Sequence, residues 1–112
     1  MRVLHVMATC SKNSGVAQCV MRYYRHMKEV TFDFLLYYDV ENSFKDEIQS
    51  LGGCLYFTGK PGVKDIVSYT KQIEKFFEQN KDKYDIVHLH EVYLNSIVLR
   101  IAKKTFQSVS CN

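Results

Sequence analysis

Compact apolar runs alternate with amphipathic segments along the whole chain, and this order constrains the fold more than any other feature. The runs predicted as strands are RVLHVM (2–7), TFDFLLYY (31–38), CLYFT (54–58) and YDIVHLH (84–90). The segments predicted as helices are 15–27, 43–53, 63–82 and 93–106, and the tail 107–112 either begins a fifth strand or hangs loose. Strands alternating with helices form a parallel sheet with right-handed crossovers and helices on both faces. The order predicts an α/β fold, a Rossmann-like three-layer sandwich with a parallel sheet of four to five strands.

The helix predicted at 43–53 carries signals at both of its ends. Ser43 is the residue type that caps a helix, and Asp46 follows it three residues later. Gly52 and Gly53 stand where a helix would stop. The pattern therefore predicts a short helix that begins at a serine cap and ends at a glycine.

Length and composition fit a single domain over residues 1–112. The chain has 46% hydrophobic and 24% charged residues, which is typical of a soluble globular protein. It has neither an apolar run of about 18 residues nor a signal peptide, so we expect a cytoplasmic protein. A doubly wound domain would continue past a fourth strand-helix unit. We therefore expect a truncated domain, whose open sheet edge would favour a homodimer.

The formal net charge of +3 is modest, and no dense basic stripe or recognisable module predicts a nucleic-acid partner. Arg22, Arg25 and Lys28 gather on the first predicted helix. They form either a solvated face or a weak attraction to anionic lipid, worth about 1 kcal/mol per basic residue near the surface. The scattered cysteines predict reduced thiols rather than a disulfide framework or zinc knuckle. They are Cys10, Cys19, Cys54 and Cys111.

The polar loop ATCSKNSGVAQ (8–18) joins the first predicted strand to the first predicted helix. Ligands of open α/β sheets bind at the carboxyl ends of the strands, where this loop falls. A helix N-terminus suits phosphate, and Gly15 would let a ligand approach the backbone closely. The alternative is a turn that merely needs a glycine. Neither GxGxxG nor GxxxxGK[ST] occurs, which argues against ordinary dinucleotide binding and against a P-loop.

The stretch His88-Leu89-His90-Glu91 ends the fourth predicted strand and places two histidines on one face. Two histidines make half of a metal site, and no third ligand is evident, so we expect neither a metal nor a cofactor. His88 is best explained as a hydrogen-bonded side chain at the margin of the sheet. His90 lies past the apolar run, where a neutral imidazole could hydrogen-bond a sugar hydroxyl or a leaving phosphate.

These loops resemble a known family when they are taken together. MRVLHVMATCSKNSGVAQCVMRYYRHM, FDFLLYY, EIQSLGG and YDIVHLHEVYLNSIVLRIAKK occur in register. They resemble the N-terminal half of a bacterial family-4-type glycosyltransferase with the GT-B fold, in the branch that builds capsular or exopolysaccharide. The resemblance runs from Met1 to about Lys104 and covers roughly the first third of a full-length enzyme of that family.

The resemblance implies a retaining transferase that moves a sugar from a nucleotide-diphosphate donor to a saccharide or lipid-linked acceptor. The N-terminal half would hold the acceptor, while its glycine loop, at Ser14, Gly15 and Val16, would face the donor diphosphate. His90 would be the catalytic cleft residue, and Glu91 a substrate-binding one. Lipid-linked acceptors would place the protein at the inner membrane, as a peripheral protein.

The chain also departs from the family pattern. The family's first loop usually reads G-G-x-E, whereas this chain keeps one glycine and has Gln18 in place of the acid. Cys111 stands about where the family has a cleft histidine, and the nucleotide-binding half is absent. We therefore expect the 112 residues alone to be inactive. The alternatives are a non-catalytic α/β interaction or regulatory module that docks a partner through its sheet edge, and a flavodoxin-like cofactor binder.

Overall fold

A computed structural model describes residues 1–59, 65–90, 95–106 and 108–111. Strands and helices alternate strictly in this part of the chain. The strands are β1 (Arg2–Met7), β2 (Thr31–Leu36), β3 (Leu55–Phe57), β4 (Ile86–Leu89) and β5 (Val109–Cys111). The helices are α1 (Gly15–His26), α2 (Lys45–Ser50), α3 (Ile66–Gln79) and α4 (Asn95–Thr105).

The strands form one five-stranded sheet in the order β3-β2-β1-β4-β5, and every neighbouring pair is parallel. The expected α/β, Rossmann-like sandwich is confirmed, and the tail beyond residue 107 forms the fifth strand that the sequence left open. The chain reverses its direction of travel across the sheet at β1, which pairs with β2 on one side and β4 on the other. In sheets of this kind the crevice at that reversal is the usual place for a ligand.

Alternation along the strands divides the core between the two faces of the sheet. On one face α3 and α4 cover a cluster that includes Leu4, Val87 and Leu89, all fully buried or nearly so. On the other face α1 and α2 cover Val3, Met7 and the inward side chains of β2. The second face is less complete at β4, because Ile86 and His88 are only half-buried there.

The start of α2 differs from the prediction of a serine cap. The capping position is Phe44, whose side chain is buried and whose N–H donates to the Cys10 carbonyl at 2.9 Å. Ser43 lies one residue earlier, and its hydroxyl accepts from the Lys45 N–H at 3.3 Å. Burial of the phenylalanine ring therefore decides where the helix begins. The glycine stop is confirmed, because Gly52 adopts a left-handed φ of 91° just after the helix.

A fully buried carboxylate, Asp33 in β2, ties the amino ends of three strands together. It accepts two hydrogen bonds from Arg2 at 2.9 Å, one from the Tyr84 hydroxyl at 2.7 Å and one from the Cys54 N–H at 2.9 Å. Burial would raise the pKa of Asp33, but these donors outweigh it and lower the pKa below its ordinary value. This charged network lies at the pole opposite to the carboxyl ends of the strands.

Candidate functional site at the carboxyl end of the sheet

The loop that follows β1 is held against the loop that follows β2. The Lys12 N–H donates to the Asn42 carbonyl at 2.9 Å, and Ser11 and Ser43 form an isolated antiparallel bridge. The Gln18 side-chain amide donates to the Lys12 carbonyl at 2.6 Å. Gln18 therefore fixes the turn that leads into α1.

Helix α1 begins with backbone donors that the protein does not use. The Ser14 hydroxyl accepts from the Ala17 N–H at 3.3 Å and so caps the helix. No described residue accepts from the N–H groups of Gly15 and Val16. Unpaired donors and the helix dipole together make such an end attractive to an anion.

The fold itself does not require a glycine at position 15. A Cβ atom built on Gly15 would meet nothing within 4 Å, and Gly15 has no left-handed φ. By contrast, a Cβ on Gly53 would overlap the backbone carbonyl of Phe32 and lie 2.8 Å from Ile48 Cγ2. Val16, the next residue of α1, leaves 44% of its surface exposed. Open space above Gly15 and an exposed apolar side chain beside it are what a ligand-binding surface would need.

His90 lies at the same end of the sheet, directly beyond β4. Its N–H donates to the Val6 carbonyl at 3.0 Å, which sets it level with the end of β1. The side chain is only 4% exposed, so the ring is packed within the protein rather than projecting into open solvent. Burial, and then the neighbouring His88, lower the pKa of His90 to about 4, so the ring is neutral at pH 7. Glu91 lies outside the described residues.

A third histidine, His5 of β1, completes a cluster that the sequence argument missed. Nδ1 of His5 and Nε2 of His90 lie 3.0 Å apart, so one ring donates to the other. His88 is the register partner of His5, and its ring stacks on that of His90 with centroids 4.3 Å apart. No third ligand beside His88 and His90 was evident in the sequence, and the structure brings His5 next to them as a potential one. Alternation does place His5 on one face of β1, but the sequence does not say which strand lies beside β1.

The positive charge of α1 is partly neutralised by an ion pair that the sequence did not predict. Arg25 forms a two-pronged ion pair with Glu47 of α2, with the second contact at 2.8 Å. Arg22 of α1 and Lys28, which lies two residues beyond the end of the helix, have no ion pair with a described residue. Within the described residues, no helix combines the length and apolar character needed to cross a bilayer.

Two solved structures share the fold of this chain. Two crystal structures of the C-terminal domain of the PF1911 hydrogenase from Pyrococcus furiosus superpose with TM-scores of 0.57 and 0.58 over 99% of this chain. The superposed region takes in 88% and 90% of the two hydrogenase domains, and the sequence identities are 10% and 9%. At that identity the likeness concerns the fold alone. No family model matches the chain.

A curated relative gives the functional indication. The chain is 29% identical over 104 residues to the protein named "Putative glycosyltransferase EpsF" of Bacillus subtilis (strain 168). The match takes in 91% of this chain but only 27% of the relative's length. This distant and partial similarity supports a place for the chain among the glycosyltransferases.

Proposed function

We propose that these 112 residues are the acceptor-side half of a retaining, family-4-type GT-B glycosyltransferase that uses a nucleotide-diphosphate sugar as its donor. The observation that carries the proposal is the open, unpaired start of α1 at Gly15 and Val16, at the same end of the sheet as His90. The similarity to a protein named as a glycosyltransferase selects sugar transfer among the chemistries such an end could serve.

Each site residue has a defined part in this proposal. Ser14 caps α1 and so keeps its first turn in place, while the N–H groups of Gly15 and Val16 donate to the donor diphosphate. His90 supplies a neutral imidazole for a sugar hydroxyl, and because its ring is buried and its Nε2 is paired with His5 Nδ1, this contact requires the ring to turn toward the crevice. Glu91, which follows His90 in the sequence, is the second substrate-binding residue of the proposal. The acceptor is a saccharide, lipid-linked where Arg22 and Lys28 bring the protein to an anionic membrane surface.

A direct test measures the binding of UDP and GDP to the wild-type chain by ligand-observed NMR. Gly15→Val fills the open space above the helix start, so we expect it to weaken nucleotide binding clearly. Cys19→Val places the same side chain at an exposed position one turn further along α1 and should leave binding unchanged. Equal nucleotide binding by wild type and Gly15→Val would show that the diphosphate does not bind at the start of α1.

Turnover should require groups from the nucleotide-binding half as well. In a GT-B enzyme the groups that stabilise the transition state come from both domains that flank the cleft. This chain matches only 27% of the length of its relative. We therefore expect the isolated chain to release no sugar from UDP- or GDP-sugars. A radiolabel transfer assay checks this, and sustained product formation would show that the nucleotide-binding half is not required.

The half-covered sheet face favours a second candidate function, a non-catalytic module that docks a partner or a second copy of the chain. Ile86 and His88 are half-buried, whereas Val87 and Leu89 on the opposite face are fully buried. The outer strand β3 also carries the 38% exposed Phe57. Sedimentation at several concentrations tests self-association through this edge, which Phe57→Lys should abolish and Val67→Lys, at an exposed position of α3 rather than of the sheet, should not. A constant monomer mass would exclude the homodimer.

A further inference from the structure

We propose that His5, His88 and His90 form a binding site for a divalent transition metal of the zinc, cobalt and nickel group. The three side chains project from adjacent strands, since His5 of β1 is paired in register with His88 of β4. One potential ligand nitrogen from each ring lies within 4.8 Å of the other two. This inference goes beyond the glycosyltransferase proposal and shares only His90 with it.

One of the three nitrogen pairs already has nearly the spacing found around a bound metal, and all three nitrogens lie within 4.8 Å of one another. A tetrahedral zinc ion with Zn–N bonds of about 2.0–2.1 Å holds its ligand nitrogens about 3.3 Å apart. His5 Nδ1 and His90 Nε2 are already 3.0 Å apart. His88 is half-buried, so its ring is less enclosed than the buried rings of His5 and His90. Metal binding would require the His88 ring, now stacked on that of His90, to turn toward the other two ligands.

One buried nitrogen of His5, Nε2, has no hydrogen-bond partner among the described residues. A buried polar atom without a partner costs about 1–3 kcal/mol, and native structures seldom leave one without a reason. A metal ion would pair this atom only by taking Nε2 of His5 as its ligand in place of Nδ1, the nitrogen that lies 3.0 Å from His90 Nε2.

The chemistry of the donors selects the ion. All three ligands are imidazoles, which suit zinc, cobalt, nickel and copper, whereas magnesium and calcium require oxygen ligands. Burial, and then the two neighbouring imidazoles, lower the pKa of His5 to about 3, which keeps it in the neutral form that binds metal. Phe32 and Phe34 line the far side of His5, with ring centroids 4.3 and 5.5 Å away. Three protein ligands leave a fourth position for a water or a substrate atom.

Cobalt titration of the chelator-treated, tag-free protein tests the site, because cobalt in a low-coordinate site absorbs visible light. We expect one cobalt per chain, displaced by zinc, without the near-ultraviolet band of a thiolate ligand. His88→Gln removes a half-buried ligand with little effect on packing and should weaken binding by at least about tenfold. His26→Gln changes the one histidine outside the cluster, which is exposed, and should bind as wild type does.

Three results would overturn the proposal. They are cobalt binding by His88→Gln equal to wild type, a thiolate band that traces the metal to an exposed cysteine such as Cys19 or Cys54, and no binding by the folded wild-type protein. Far-ultraviolet circular dichroism confirms that each variant is folded. As a second measurement, zinc should raise the thermal midpoint of wild type and His26→Gln but not that of His88→Gln.

Discussion

Single buried side chains set how this protein responds to its solution conditions. His5 and His90 are kept neutral inside the fold, with pKa values lowered to about 3 and about 4, mainly by burial. Asp33 is kept charged at the opposite pole by four donated hydrogen bonds. The two ends of one sheet therefore have opposite electrostatic requirements, and each can be tested separately.

The histidines predict a loss of stability in mild acid. Between about pH 4 and 6.5 the unfolded chain binds protons at His5 and His90 that the folded chain does not, so the free energy of unfolding falls as the pH falls. From pH 7 to pH 5 we expect a loss of about 3 kcal/mol in urea denaturation of the metal-free protein. His5→Phe should reduce this pH dependence, and His26→Gln should not. A stability that is constant over this range would contradict the buried neutral histidines.

The Asp33 network predicts a large cost for a small change. Asp33→Asn keeps the shape of the side chain but removes its negative charge, to which Arg2 and Tyr84 donate hydrogen bonds. We expect it to lower the free energy of unfolding by about 3 kcal/mol. Asp39→Asn breaks only an exposed pair with Lys45, at 3.2 Å, and should cost less than about 1 kcal/mol. Similar costs for the two variants, measured in urea, would argue against the network.

At the scale of elements, the glycines separate positions that the fold needs from positions it leaves open. Gly53→Ala would drive a Cβ into the Phe32 carbonyl, which belongs to β2 and cannot move easily, so we expect a loss of about 2–3 kcal/mol. Gly15→Ala enters open space at the start of α1 and should change stability by less than about 0.5 kcal/mol. Urea denaturation of both variants checks this, and a strongly destabilised Gly15→Ala would mean that packing, not a ligand, requires the glycine.

The order and type of the elements follow from hydrophobic period, and the sequence predicted them within a few residues. β1 matches its predicted range, and α1 ends one residue earlier than predicted. Boundaries failed where tertiary contact overrides a local signal, as at α2, where burial of Phe44 displaces the serine cap. The histidine cluster could not be predicted, because His5 and His88 meet only through the pairing of β1 with β4, which no local pattern encodes.

At the scale of the whole molecule, the parallel pairing of β1 with β4 brings the loop before α1 and the end of β4 together. Because β1 pairs with β2 on one side and β4 on the other, the start of α1 and the end of β4 both lie at the carboxyl end of the sheet. The alternation of strands and helices predicted this common end. The burial of His90 depends on side chains from two strands, so it appeared only in the folded structure.

The most direct test of the account is a map of amide NMR shifts on addition of UDP. If a sugar-transfer crevice opens at the carboxyl end of the sheet, the signals of Gly15, Val16 and His90 should move together, with one shared saturation curve. Gly52 and Cys54, which precede β3 at the opposite end, should stay in place. Shifts confined to that opposite end, or movement of Gly15 without His90, would contradict a single site at this crevice.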